Sequence, residues 1–128
     1  MLTNDKLYGS LKSFMKLLGQ DLPIRLAFNL KRTHKELVNY IQSIDEMKKE
    51  IETKYKVEGK VPVDNDGKEI ENAFYIDNVG VQKLVELMSL EATFKFDKIL
   101  LEDLMKSNIN LSVMDLEILD WLIEGNEQ

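Results

Sequence analysis

From Pro23 to Tyr55 the chain has no glycine and no second proline, and its apolar residues recur three and four positions apart. Ala27, Leu30, His34, Leu37, Ile41, Ile44, Lys48, Ile51 and Tyr55 therefore share one face of a helix and form a heptad-like, coiled-coil seam. A helix of that length runs about 50 Å at 1.5 Å per residue, more than a domain of 128 residues can enclose. Part of the seam must then pack on another helix. Two partners satisfy this requirement, the N-terminal segment folded back or a second copy of the chain, and the pattern does not choose between them. His34 and Lys48 interrupt the seam and either set its register or mark its solvated edge.

The flanking segments read as shorter elements. Leu7, Leu11, Phe14, Met15 and Leu18 paint one face of a helix over Asn4–Leu18, with Thr3, Asn4 or Asp5 as cap and Gly19 at its C-terminal end. Pro23 suits the first position of the long helix, with Asp21 nearby as a cap. Lys60–Val63 and Lys68–Glu71 flank Asn65-Asp66-Gly67, a strong turn signal, and predict a small hairpin or loop. A third helix is expected over Val79–Leu90, capped by Asp77 or Asn78, with Val81, Leu84, Val85, Leu87, Met88 and Leu90 on its apolar face and Gly80 as a mild weakness. The period-two run Thr93–Ile99 puts Phe94 and Phe96 on one side and is the best strand candidate. A helical turn follows at Leu101–Met105. Ser112 and Asp115 form an approximate capping box for a last helix, with Val113, Leu116, Leu119, Leu122 and Ile123 on its face and Gly125 at its end.

The expected fold class is mostly α with a minor β part. A long central helix packs with a shorter N-terminal helix, a small β-hairpin or strand element and C-terminal helices. Residues 1–128 form a single domain in this reading, divided into a helical hairpin at 1–58, a hairpin or loop at 59–76 and a helix-strand-helix segment at 77–128.

Several chemistries are excluded by composition. The chain has no cysteine, which removes disulfides, thiolate catalysis and Cys-based metal sites. The single histidine, His34, has no second histidine or acidic pair one helical turn away, so a structural role is expected for it. When Gly67 is aligned with the sixth position of a calcium-binding EF-hand loop, Pro62 and Ala73 fall where oxygen ligands are needed, and the motif fails. The glycines match no phosphate cradle, and no Gly-x-Ser-x-Gly elbow is present. These readings predict no catalysis, no metal and no cofactor. The longest apolar run is too short to span a bilayer, and the N-terminus lacks the pattern of a secretion signal, so a soluble protein made in the cytoplasm is expected.

The net charge of −6 is divided unevenly. Residues 1–60 hold twelve Lys/Arg against eight Asp/Glu, and residues 61–128 hold five against fifteen. Such polarity steers association with a complementary partner, or with another copy head to tail; it also arises when two faces merely differ in solvation. Arg25, Lys31, Arg32 and Lys35 make a basic cluster on the long helix, but the overall negative charge disfavours nucleic acid as its partner. The C-terminal end is acidic through Glu102, Asp103, Asp115, Glu117, Asp120, Glu124 and Glu127. Trp121 lies in this segment, an interface anchor if exposed and a core residue if buried.

Four stretches of sequence carry a resemblance. Leu22-Pro23-Ile24-Arg25-Leu26-Ala27 opens the long helix, and Glu50-Ile51-Glu52-Thr53-Lys54-Tyr55 closes it before the acidic hairpin. Val81–Leu90 precedes the strand candidate, and Leu111-Ser112-Val113-Met114-Asp115-Leu116 starts the terminal helix. In this order, over most of residues 20–123, the chain resembles a poorly characterised family of small proteins of tailed phages and prophages of Gram-positive bacteria. The resemblance implies a virion component or an accessory protein made during infection in the host cytoplasm, and no catalytic residues. The expected function is a phage structural or assembly protein that acts through protein contacts, including homo-oligomerisation. The alternative is a regulator or anti-defence inhibitor that binds a host protein through the acidic end. The interface candidates are Leu30, His34, Leu37, Ile41, Ile44, Ile51, Tyr55 and Trp121. The charged-contact candidates are Arg25, Lys31, Arg32 and Lys35 on one side, and Asp115, Glu117, Asp120 and Glu124 on the other.

Overall fold

The computed structural model describes residues 1–125. The protein is mostly α-helical with a minor β component, in the order α1 (Asn4–Leu18), α2 (Ile24–Lys54), α3 (Asn78–Ser89), β1 (Ile99–Leu100), α4 (Leu101–Met105), α5 (Val113–Ile118) and β2 (Ile123–Glu124). The chain forms two compact units, Met1–Ile41 with the segment from Glu91 onward, and Gln42–Leu90. The boundaries lie inside α2 and just after α3, and not at residues 58 and 76.

In the first unit, α1 starts where the Thr3 hydroxyl accepts the backbone N–H of Lys6. It ends at Gly19, which keeps a right-handed conformation, so no positive φ is needed there. Helical spacing delivers Leu7, Phe14 and Leu17 to the core. From α2 come Leu26, Leu30 and Leu37, spaced four and seven apart. The α2 ladder opens with the N–H of Ala27 on the carbonyl of Pro23, so the proline stands just ahead of the first helical residue. The remaining core side chains are Ile99, Leu104, Leu119, Trp121, Leu122 and Ile123.

Two expectations for this unit are corrected. The strand candidate Thr93–Ile99 is paired only at its end, where Ile99 and Leu100 run parallel to Ile123 and Glu124. Residues 93–98 join no ladder. Their alternation still does packing work, because Phe94 and Phe96 lie 5.0 Å apart, ring to ring, and both contact Trp121. The last helix stops at Ile118 and does not reach Gly125. A turn through Leu119 and Asp120 redirects the chain, which lets Ile123 enter the β pair while Leu119 and Leu122 are still buried. The apolar spacing that suggested one long helix is thus shared between a short helix and a strand, and Val113 is exposed.

In the second unit the end of α2 leads into an antiparallel bridge between Lys56 and Ile76. The hairpin around Asp64–Gly67 is reduced to one bridge, Val63 to Glu69. Its turn is held by Asp64, whose Oδ1 accepts the N–H of Asp66 and of Lys68, and by Gly67 at φ 80°. Asp77 caps α3 by accepting the N–H of Gly80. Gly80 is a necessity at this position and not a weakness. It is buried, and a Cβ there would lie 2.6 Å from Tyr55 Cβ and against Ile76 Cγ2. Leu84, Leu87 and Met88 are half-buried, whereas Val81, Val85 and Leu90, expected on the same apolar face, are exposed.

Candidate functional site

The residues proposed from sequence as contacts fall into three groups. Leu30, Leu37 and Ile44 are buried within the chain, as is Trp121, only 8% exposed. Their side chains are core and offer nothing to a partner while the chain is folded, which corrects their reading as interface residues. His34, Ile41, Ile51 and Tyr55 are half-buried. The His34 ring stacks on Phe14, the two planes 11° apart with centroids at 6.1 Å, which gives this histidine a packing role.

Trp121 is held by its polar edge as well as its faces. Its Nε1–H donates to Ser10 Oγ at 3.1 Å, and the Ser10 hydroxyl donates onward to the Leu7 carbonyl at 2.7 Å. Phe14, Phe94 and Phe96 surround the indole. A lone serine on a helix carries no sequence sign of this chain, so only the tertiary structure reveals that the tryptophan is satisfied inside.

Among the acidic candidates, Asp115 is also internal to the fold. It receives Ser13 Oγ–H at 2.8 Å, Lys16 Nζ at 2.9 Å and the backbone N–H of Ser112 at 3.1 Å. The Lys16 ammonium first, then the Ser112 amide and the Ser13 hydroxyl, hold its carboxyl well below the usual carboxylate range. This carboxylate ties α5 to α1 and is not a free contact. Glu117, Asp120 and Glu124 are exposed, and Glu127 lies outside the described residues.

Two surface patches of the first unit contain the charged residues singled out in the sequence. The first is the outward face of α2. Ile24, Phe28, Lys31, Lys35 and Val38 follow one another four and three apart, so they line a stripe roughly opposite the buried Leu26, Leu30 and Leu37. Ile24 is 86% exposed, Phe28 60% and Val38 47%. Arg25 and Arg32 are exposed beside it. A depression of about 550 Å³ is bounded by Phe28, Lys31, Lys35 and Val38.

The second patch adjoins α5. Met114 is 67% exposed, and Val113 and Ile118 are also at the surface. Beside them a depression of about 480 Å³ has Leu2, Ile118 and the edge of Trp121 among its lining residues, with the carboxylates of Glu117 and Asp120 matched by the Lys6 ammonium and the amino group of Met1. The two patches share no residue, and α1 stands between them. Tyr40 of α2 donates to Asn4 Oδ1 at 2.6 Å, whereas α5 is tied to Ser13. Asn4 and Ser13 are nine positions apart, or about two and a half turns at 3.6 residues per turn, so they leave α1 on opposite flanks.

A further depression between α2 and residues 94–97 carries Arg32, Lys35 and Lys95 against Glu36 and Asp97, one cation in excess. Among the described residues no group of three or more His, Asp or Glu converges, and no helix is long and apolar enough to cross a membrane. No known protein family, curated protein or solved structure matches the chain.

Proposed function

We propose that this chain is a structural or assembly protein of a tailed phage, acting through protein–protein contacts and performing no catalysis. The observation that carries the reading is the outward stripe of α2, which leaves Ile24, Phe28 and Val38 in solvent on one helical face among Lys31, Arg32 and Lys35. Single exposed apolar side chains are ordinary. Three in helical register, one of them a phenylalanine flanked by arginine and lysine, have the make-up of an interface core with its charged border. The chemistry that fits this stripe is an acidic protein surface with an apolar centre. The phage setting rests on the resemblance of the four sequence stretches, and with it manufacture in the host cytoplasm followed by incorporation in the particle. A second reading, an accessory inhibitor of a host protein, is favoured by the exposure of Met114 and Ile118 beside Glu117 and Asp120.

The test is the protein content of purified particles and of their assembly intermediates, probed with antiserum against this chain. The expected result is a fixed number of copies, reduced at least about tenfold when Phe28→Asp and Val38→Asp are introduced together. Absence from both particles and intermediates contradicts the structural reading.

A further inference from the structure

We infer that the α2 stripe docks an acidic amphipathic helix of another protein, packed along it as in a two-stranded coiled coil; this rests on the contact function proposed above. Ile24, Phe28, Lys31, Lys35 and Val38 are spaced four, three, four and three apart, and all five are exposed. That alternation is the heptad period with which one helix seats its side chains between those of another. It runs along the open side of α2, apart from the buried Leu26, Leu30 and Leu37. From Ile24 to Val38 the stripe covers about 21 Å at 1.5 Å per residue, so the partner contributes about four turns.

The charges define the partner. Lys31 and Lys35 occupy the middle of the seam, and Arg25 and Arg32, seven apart, each stand one position beyond a seam residue on the same flank. That flank is where charges pair across a coiled coil. None of these four cations is in an ion pair among the described residues. The depression of about 550 Å³ at the centre of the stripe is lined by Lys31, Arg32 and Lys35 with no carboxylate. The depression toward residues 94–97, which shares Arg32 and Lys35, also holds one cation in excess. The complement is a helix with apolar residues facing Ile24, Phe28 and Val38, carboxylates facing Lys31 and Lys35, and further carboxylates along the edge that meets Arg25 and Arg32. The same stripe of a second copy does not fit, because centring the two stripes sets Lys31 against Lys31 whether they run parallel or antiparallel. A nucleic acid or an anionic bilayer is repelled at long range by the net charge of −6, whereas a short acidic helix meets only the local excess of cations, within a Debye length of about 10 Å.

The experiment titrates the full chain into a labelled synthetic peptide of about four turns, held helical by lactam bridges on its outer face, and reads fluorescence anisotropy. The peptide carries leucine opposite Ile24, Phe28 and Val38, and glutamate opposite Arg25, Lys31, Arg32 and Lys35. Saturable binding is expected, weaker at high salt. Phe28→Ala is expected to weaken it at least about tenfold, and so is Lys31→Glu with Lys35→Glu, each with the far-ultraviolet circular dichroism of wild type. The doubly reversed variant is expected to bind instead a peptide with lysine in place of glutamate, a gain that misfolding cannot produce. Three results overturn the inference: no binding of the glutamate peptide by wild type, wild type binding the lysine peptide equally well, or an oligonucleotide or anionic vesicles outcompeting the glutamate peptide for the Phe28 face. Any of these in a chain that is present in particles sinks this inference and leaves the contact function. Absence from particles sinks that function whatever the peptide does.

Discussion

Asp115 shows how one side chain can join distant parts of the chain. Its carboxylate accepts from Ser13 and Lys16 on α1 while it closes the capping box with Ser112 on α5. The Ser112–Asp115 spacing was legible as a cap because that signal is local. The link to α1 was not, because nothing in the sequence marks residues 13 and 16 as neighbours of residue 115. The same holds for Trp121, whose burial depends on a hydroxyl at Ser10.

The Asp115 environment sets a pH dependence. Its folded pKa is depressed, so the unfolded chain takes up the proton first. The stabilisation is fully present above the unfolded value of about 3.9 and is lost as pH falls through the folded value. Asp115→Asn is expected to lower the melting temperature by a constant amount above about pH 5, and the gap to wild type is expected to narrow as the pH is lowered further. A gap that stays the same or widens on acidification would show that the charge is not the stabilising feature.

At the scale of elements, strongly periodic segments were legible and their ends less so. The α1 range agrees residue for residue with the apolar spacing, and α2 differs by one residue at each end. The α4 turn at Leu101–Met105 also agrees. The terminal helix was overextended because Leu119, Leu122 and Ile123 keep a helical spacing although they are buried from a turn and a strand. Parallel pairing of Ile99 with Ile123 left no local signal, since the partners are separated by two helices.

Gly80 gives the sharpest contrast at this scale. Helix propensity alone predicts that Gly80→Ala stabilises α3, by about 1 kcal/mol. The close approach of Tyr55 and Ile76 predicts the reverse sign, a loss of about 1–3 kcal/mol in denaturant unfolding, because the added methyl displaces packed side chains. A stabilised variant would mean that α3 does not pack on Tyr55 in the way described.

For the whole molecule, the fold class was legible because helical periodicity dominates the sequence. The two-unit organisation was not, because its boundary falls inside an unbroken helix where neither composition nor turn residues change. The contact residues were only half legible. Of the α2 seam, Leu30, Leu37 and Ile44 are buried while its other positions are half-buried, and the buried Leu26 and Thr33 lie outside it; the other side of the helix was left unread. Leu30 and Leu37 are used up in the core with α1, and the exposed stripe is the one through Phe28. The charged candidates Lys31, Lys35, Glu117 and Asp120 are all exposed, while Asp115 is drawn into the fold.

The central claim is that protein contacts run through the outward face of α2 and not through its buried seam. The most direct measurement is the solution mass of wild type and of Phe28→Asp, each mixed with the acidic helical peptide, by light scattering over a range of concentration and salt. The account predicts that wild type exceeds the single-chain mass of 14.9 kDa, increasingly so with peptide concentration, and that Phe28→Asp, equally helical, stays at it. A Phe28→Asp variant that associates as wild type does would contradict it.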